Sequence, residues 1–287
     1  MEKKLLITVG DETTCLFGVR FLSSFFQNKS LLQINLLCVV PQLDHSNRSP
    51  ASVHTQIAGK NVGGDVLSKA GMALQASRRI LGNWDFPAER ITTRVQVEQA
   101  GVVKDIIREA RQGLYDAVVL GRRGYGLFES IFATSVTARM LEDDIDFPLW
   151  ISRLPEHGRK NVLLCVDGSD ASLRIADHVG FMLREEEHRV TILHVDTGGR
   201  KDVDGILQAA SAKLADNGIE QERIAISVIK SDKVTPTILE EAERRAFAVV
   251  AVGRVGENKG GLAGWLMGSR SMKLLQRMEK AVMWVSK

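Results

Sequence analysis

Three short stretches in the second half of the chain hold residues that could do chemistry. The first is Asp167-Gly168-Ser169, at the end of an apolar run. The second is Gly253-Arg254-Val255-Gly256, which follows Val249-Val250-Ala251-Val252. The third is Gly268-Ser269-Arg270-Ser271, which opens a helical pattern with Leu274, Leu275 and Met278 on one face. A strand that ends in glycines and leads to a Ser-capped helix presents bare backbone N–H groups at the positive end of a helix dipole. That suits an anion, above all a phosphate. The same residues also suit a plain loop before a capped helix, because short glycine patterns are weak signals. Asp167 likewise has two readings. Its carboxylate suits a ribose hydroxyl or an exocyclic amine, and Asp and Ser are common turn and N-cap residues. A carboxylate and a phosphate nest facing each other across one crevice describe a nucleotide site.

The elements that must position these residues occur twice. Val118-Val119-Leu120-Gly121-Arg122-Arg123-Gly124 leads, across residues 125–133, into Thr134-Ser135-Val136-Thr137. Glu89-Arg90-Ile91-Thr92 matches Glu222-Arg223-Ile224-Ala225, and Lys4 to Val9 matches Lys160 to Val166. An internal repeat decides architecture before anything else. In the first half, strands are expected at 4–9, 31–39, 90–97, 117–120 and 147–152, with helices near 14–27, 65–81, 102–111 and 134–141. Residues 41–65 are polar, contain Pro41 and Pro50, and for the most part have no counterpart in the second half, so they read as a surface insertion. Residues 154–159 read as a short linker. The second half repeats the order, ending in a strand at 282–285. Alternating strands and helices imply right-handed βαβ units, a parallel sheet and helices on both faces. In such sheets, ligands bind outside the carboxyl ends of strands where the strand order reverses.

Composition narrows the classes. The chain has 287 residues, which fits two domains of ordinary size. It is 44% hydrophobic and 25% charged, as an average soluble globule is. A net charge of +3 gives no case for nucleic acid or an anionic membrane as partner. No apolar run is long enough for a membrane span, and the start of the chain has no signal-peptide pattern. Cys15, Cys38 and Cys165 form neither a disulfide framework nor a zinc site, which makes the cytoplasm the default compartment. No metal site and no catalytic constellation emerge. Lys259 is followed by Gly260, so there is no Walker A motif. His194 reads as a core or pocket-wall residue, His178 as structural or exposed, and His45 and His54 as solvated loop residues.

The combination Val166-Asp167-Gly168-Ser169, Gly253-x-x-Gly256 and Gly268-Ser269 resembles the universal stress protein family, and the likeness runs twice along the chain. It implies two flavodoxin-like (adenine-nucleotide α-hydrolase-like) α/β domains, 1–153 and 160–287, each with a five-stranded parallel-type sheet. It also implies ATP as ligand, or AMP or ADP, with or without Mg²⁺, in a nucleotide-binding regulatory protein of the stress response. Carried over residue by residue, Asp167 would hold the ribose or base edge, and Val195 would meet adenine through its backbone. Gly253 and Gly256 would let the chain close on ribose and phosphates, and Gly268, Ser269 and Ser271 would hold the phosphates.

The two halves depart from the pattern unequally. In the second, residues 257–267 separate Gly256 from Gly268, a longer gap than 125–133 in the first. Arg270 stands where the family has a small apolar residue, and Arg254 reads as a surface residue more than a clamp. In the first, Gly10 replaces the Asp and Thr134 replaces a glycine, while Gly121, Gly124, Ser135 and Thr137 are kept. That half is expected to carry a degenerate site, so one nucleotide is expected per chain. Two further readings are an ATP-independent scaffold with vestigial sites and a slow ATPase or adenylyl-transfer protein. Leu149-Trp150-Ile151 and Met283-Trp284-Val285 are equivalent apolar final strands. They are expected to pair, making a pseudo-dimer of the halves, with a homodimer as the further assembly.

Overall fold

The structure, a computed structural model, describes residues 1–42, 54–57, 60–121, 136–143, 145–199, 202–254 and 269–287. It divides into two compact units, residues 1–23 with 29–140 and residues 24–28 with 141–287.

The first unit contains β1 (Lys3–Thr8), β2 (Leu32–Val40), β3 (His54–Ile57), β4 (Lys60–Gly63), β5 (Ile91–Val97) and β6 (Ala117–Gly121). Four of these pair in parallel in the order β6-β1-β2-β5. Leu5, Leu6 and Ile7 of β1 are all buried, as a strand covered on both faces requires. The helices are α1 (Phe17–Phe25), α2 (Gly64–Gly82), α3 (Val102–Gly113) and α4 (Val136–Glu142). Along α2, Ala70, Ala73, Leu74, Ser77 and Leu81 are buried at the spacing of one helix face. The Ser77 hydroxyl there is satisfied by the Ala73 carbonyl at 2.8 Å. The expected loop at 41–65 is partly regular, because β3 and β4 form an antiparallel hairpin that runs directly into α2.

The second unit contains β7 (Leu149–Ser152), β8 (Lys160–Cys165), β9 (Val190–Asp196), β10 (Ile224–Lys230), β11 (Phe247–Gly253) and β12 (Val282–Ser286). Their order is β10-β9-β8-β11-β12-β7. The five strands of the second repeat are parallel, and β7, the last strand of the first repeat, joins β12 antiparallel. The helices are α5 (Asp170–Leu183), α6 (Val203–Asp216), α7 (Val234–Arg244) and α8 (Ser269–Arg277). From β8 the chain steps outward to β9 and β10, then returns to place β11 on the other side of β8. The strand order therefore reverses between β8 and β11.

Trp150 of β7 and Trp284 of β12 sit opposite each other in register and stack, with ring centroids 4.1 Å apart and planes 6° from parallel. Both are fully buried. Phe26 stacks on Trp150, and Phe25 meets Trp284 edge-on. His178 of α5 accepts the Trp150 indole proton at 3.0 Å, and His188 bonds the Phe25 carbonyl at 2.7 Å. The segment expected to link the repeats is fastened within this unit. Arg159 reaches Glu156 and Glu243, each at 2.7 Å, and the Glu156 amide donates to the Lys280 carbonyl at 3.3 Å. No helix among the described residues is long and apolar enough to cross a membrane.

Candidate functional site

A crevice of about 120 Å³ opens at the carboxyl ends of β8, β9 and β11, where the strand order reverses. Asp167, His194, Val195, Asp196 and Gly253 line it, above an apolar floor that includes Leu193, Val252 and Ile238. The structure thus brings Asp167, Val195 and Gly253 together from three separate strands.

Asp167 leaves the end of β8 and turns at once. Its Oδ1 accepts from the Ser169 amide at 3.0 Å and from the Ser169 hydroxyl at 2.6 Å. This Asx-type turn holds the carboxylate at the crevice wall. Ser169 is the N-cap of α5, its hydroxyl accepting from the Ser172 amide at 3.2 Å. Gly168 has φ +85°, a left-handed conformation that favours glycine in the turn. Asp167 is thus a turn residue that also lines the crevice.

His194 is buried, and its Nδ1 lies 2.9 Å from the Val166 carbonyl. A carbonyl can only accept, so Nδ1 carries the proton. The pocket-wall reading of His194 holds. Asp196, which the sequence reading passed over, supplies the crevice with a second carboxylate. Its Oδ1 accepts from the Gly198 amide at 2.9 Å. Its signal was available, since Asp196-Thr197-Gly198-Gly199 is a turn sequence directly after Val195. Cys165 also lines the wall, and burial pushes its thiol up to about 12, which favours the protonated form at neutral pH.

Gly253 ends β11 against the first turn of α5. A Cβ there would stand 2.6 Å from the Ala171 carbonyl carbon and 2.7 Å from the Ser172 nitrogen. Strand and helix backbones approach so closely that only glycine fits, whatever the crevice holds. Gly121, its counterpart in the first unit, is less confined, with the Cys15 carbonyl oxygen 3.3 Å from a Cβ at that position. Arg254 is not the surface residue expected from sequence. It is 6% exposed, its amide donates to the Ser286 carbonyl at 2.6 Å, and its guanidinium donates to the Asp143 carbonyl at 2.5 Å. An arginine beside a glycine run here anchors the end of the strand.

The phosphate side of the expected site is described only in part. Ser269 and Ser271 fall in the first turn of α8. Gly256 and Gly268, with Lys259, lie outside the described residues, as do Gly124 and Ser135 of the first repeat. Thr137 lies in α4 and is buried. Among the described residues, no group of three or more His, Cys, Asp or Glu side chains is placed to hold a metal ion.

Residues 158–286 match the universal stress protein family. The fold of the chain is similar to that of a universal stress protein from Archaeoglobus fulgidus DSM 4304. That match has 19% identity and a TM-score of 0.71 and covers 99% of this chain and 98% of that one. A functionally unknown protein from Pseudomonas aeruginosa PAO1 matches at 14% identity and a TM-score of 0.58, over 100% of this chain and 92% of that one. A putative universal stress protein from Pseudomonas aeruginosa UCBPP-PA14 matches at 16% identity and a TM-score of 0.56, over 100% and 93% of the two chains. No curated protein matches the chain.

Proposed function

We propose, for a chain whose residues 158–286 match the universal stress protein family, that its second half binds one adenine nucleotide and that the bound state tunes contacts with a protein partner in a stress response. One observation carries this reading. Asp167 after β8 and Gly253 at the end of β11 stand on adjacent strands at the reversal of strand order, with Val195 lining the same crevice. That is the place where doubly wound sheets take nucleotides.

In this reading the apolar floor takes the base, the Val195 backbone meets the base edge, and Asp167 accepts from a ribose hydroxyl. The phosphates extend away from Asp167 and Asp196, since two carboxylates repel them, toward the start of α8 at Ser269 and Ser271. A helix start there favours negative charge. ATP is the nucleotide of choice. Mg²⁺ would arrive with its phosphates, as this ion usually does. The first half, with Gly10 in the place of Asp167, is assigned no nucleotide.

Calorimetric titration of the full chain with ATP and Mg²⁺, and separately with AMP, tests the reading. The expected stoichiometry is near one. Asp167→Ala is expected to weaken binding roughly ten- to a hundred-fold, the loss of a hydrogen bond to a charged group. Two equal sites, or an Asp167→Ala protein that binds as tightly as the parent, would overturn it.

A further inference from the structure

The β8–β9 ladder ends in an unusual way. Its register runs to Cys165↔Leu193, and the Val166 amide still donates to the Leu193 carbonyl at 2.9 Å. In a strand, a residue's N–H and C=O point to the same neighbour, and those of the next residue point to the other. Leu193 therefore faces β8. Asp196 faces β10, since its carbonyl accepts from the Ser231 amide at 3.0 Å. Val195, two residues beyond Leu193, turns its N–H and C=O toward the β8 side. A ladder continued by one step would place the Val195 amide on the Val166 carbonyl. That oxygen holds the imidazole Nδ1 of His194 at 2.9 Å. His194 is 3% exposed and lines the crevice together with Val166 and Val195.

We propose that His194 is a positioning residue of the base subsite: its ring satisfies the Val166 carbonyl in place of the Val195 amide, so that the Val195 N–H and C=O stay open to a ligand. The inference rests on the adenine-nucleotide reading for the identity of that ligand. Two strand ends, one leading to Asp167 and the other carrying Val195, are tied by this one side-chain bond. The tie keeps the base edge and the ribose carboxylate in a fixed relation. An open N–H beside an open C=O matches the acceptor and donor on the edge of adenine, and the ring that keeps them open need not touch the base. The first repeat has Cys38 at the position of His194, a side chain too short to span to a strand-end carbonyl in this way.

The test has two arms on the full chain. In the ligand-free protein, nitrogen chemical shifts should show the His194 proton on Nδ1, and the Val195 amide should exchange rapidly with solvent. In His194→Ala the Val195 amide should move onto the Val166 carbonyl and become protected. This arm does not depend on any nucleotide. In the second arm, AMP is titrated into the parent, His194→Ala and His194→Asn, because the Asn amide can donate from nearly the place of Nδ1. His194→Ala should bind about tenfold more weakly, the size of one lost hydrogen bond, and His194→Asn should stay within about threefold of the parent on the same scale. A slowly exchanging Val195 amide in the parent, a proton on Nε2, or equal AMP affinity in the parent and His194→Ala would each overturn the proposal. A parent that binds no AMP would overturn the nucleotide reading and leave the first arm to decide the role of His194.

Discussion

His178 accepts a hydrogen bond from the Trp150 indole, so the charge it can carry is decided by its place in the core. The Nε2 lone pair is engaged by the indole, and burial pushes the pKa of the ring down to about 3 from an ordinary value of 6.5. The folded protein keeps this ring neutral, while the unfolded chain protonates it as the pH drops below the ordinary value. The stability it contributes is therefore complete above pH 6.5 and is lost as the pH falls from 6.5 toward 3. His188, also pushed down chiefly by burial, adds to the same trend. Between pH 7 and pH 5 the His178 share of the loss should be about 2 kcal/mol. His178→Gln, which can accept the indole proton without titrating, should remove that share. Urea unfolding of the parent and the variant at the two pH values measures it, and an unchanged pH difference would show that the ring is not held neutral. From sequence, His178 reads as structural or exposed, and the structure decides for the buried, structural alternative. Its partner was not legible, since Trp150 lies 28 residues away on a strand of the other repeat.

At the scale of elements, the packing of β11 on α5 yields a contrast. Gly253→Ala drives a Cβ into helix backbone at 2.6 Å, whereas Gly121→Ala meets a carbonyl oxygen at 3.3 Å. Overpacking a tight site costs about 1–3 kcal/mol, so Gly253→Ala should lose that much and Gly121→Ala clearly less. Thermal unfolding without ligand compares them, and equal losses would deny that β11 and α5 approach more closely than β6 and α1. The strands and helices were largely legible, because buried parallel strands are apolar runs such as Val249 to Val252 and amphipathic helices repeat at 3–4 residues. The hairpin of β3 and β4 was not. His54-Thr55-Gln56-Ile57 and Lys60-Asn61-Val62-Gly63 have one aliphatic residue each, so neither shows the alternation that marks a strand. Asp167 and Gly253 could be found because each follows an apolar run and so marks a strand end. The role of His194 depends on where a ladder stops, and the role of Arg254 on a carbonyl at Asp143, 111 residues away. Neither separation leaves a local trace.

For the whole molecule, the second unit is built from more than the second repeat. It takes β7 and residues 24–28 from the first, and its core centres on the Trp150–Trp284 stack. Trp150→Ala should cost about 3–5 kcal/mol, the usual loss for a buried Trp, and should lower the unfolding temperature of this unit. Calorimetric scanning measures this. A change of under about 0.5 kcal/mol, the level of an ordinary surface substitution, would mean that the stack is not central. The pairing of β7 with β12 also sets a timetable for synthesis. Trp150 leaves the ribosome well before Trp284 is made. At 5–20 residues per second the intervening chain takes roughly 7–27 s to translate. During that interval Trp150, Phe25 and Phe26 wait without the strand they will pack against, a hydrophobic surface open to chaperones or to a neighbouring nascent chain. The order of translation thus leaves the aromatic centre of the second unit until last, and the speed with which β12 follows decides how long that surface stays uncovered.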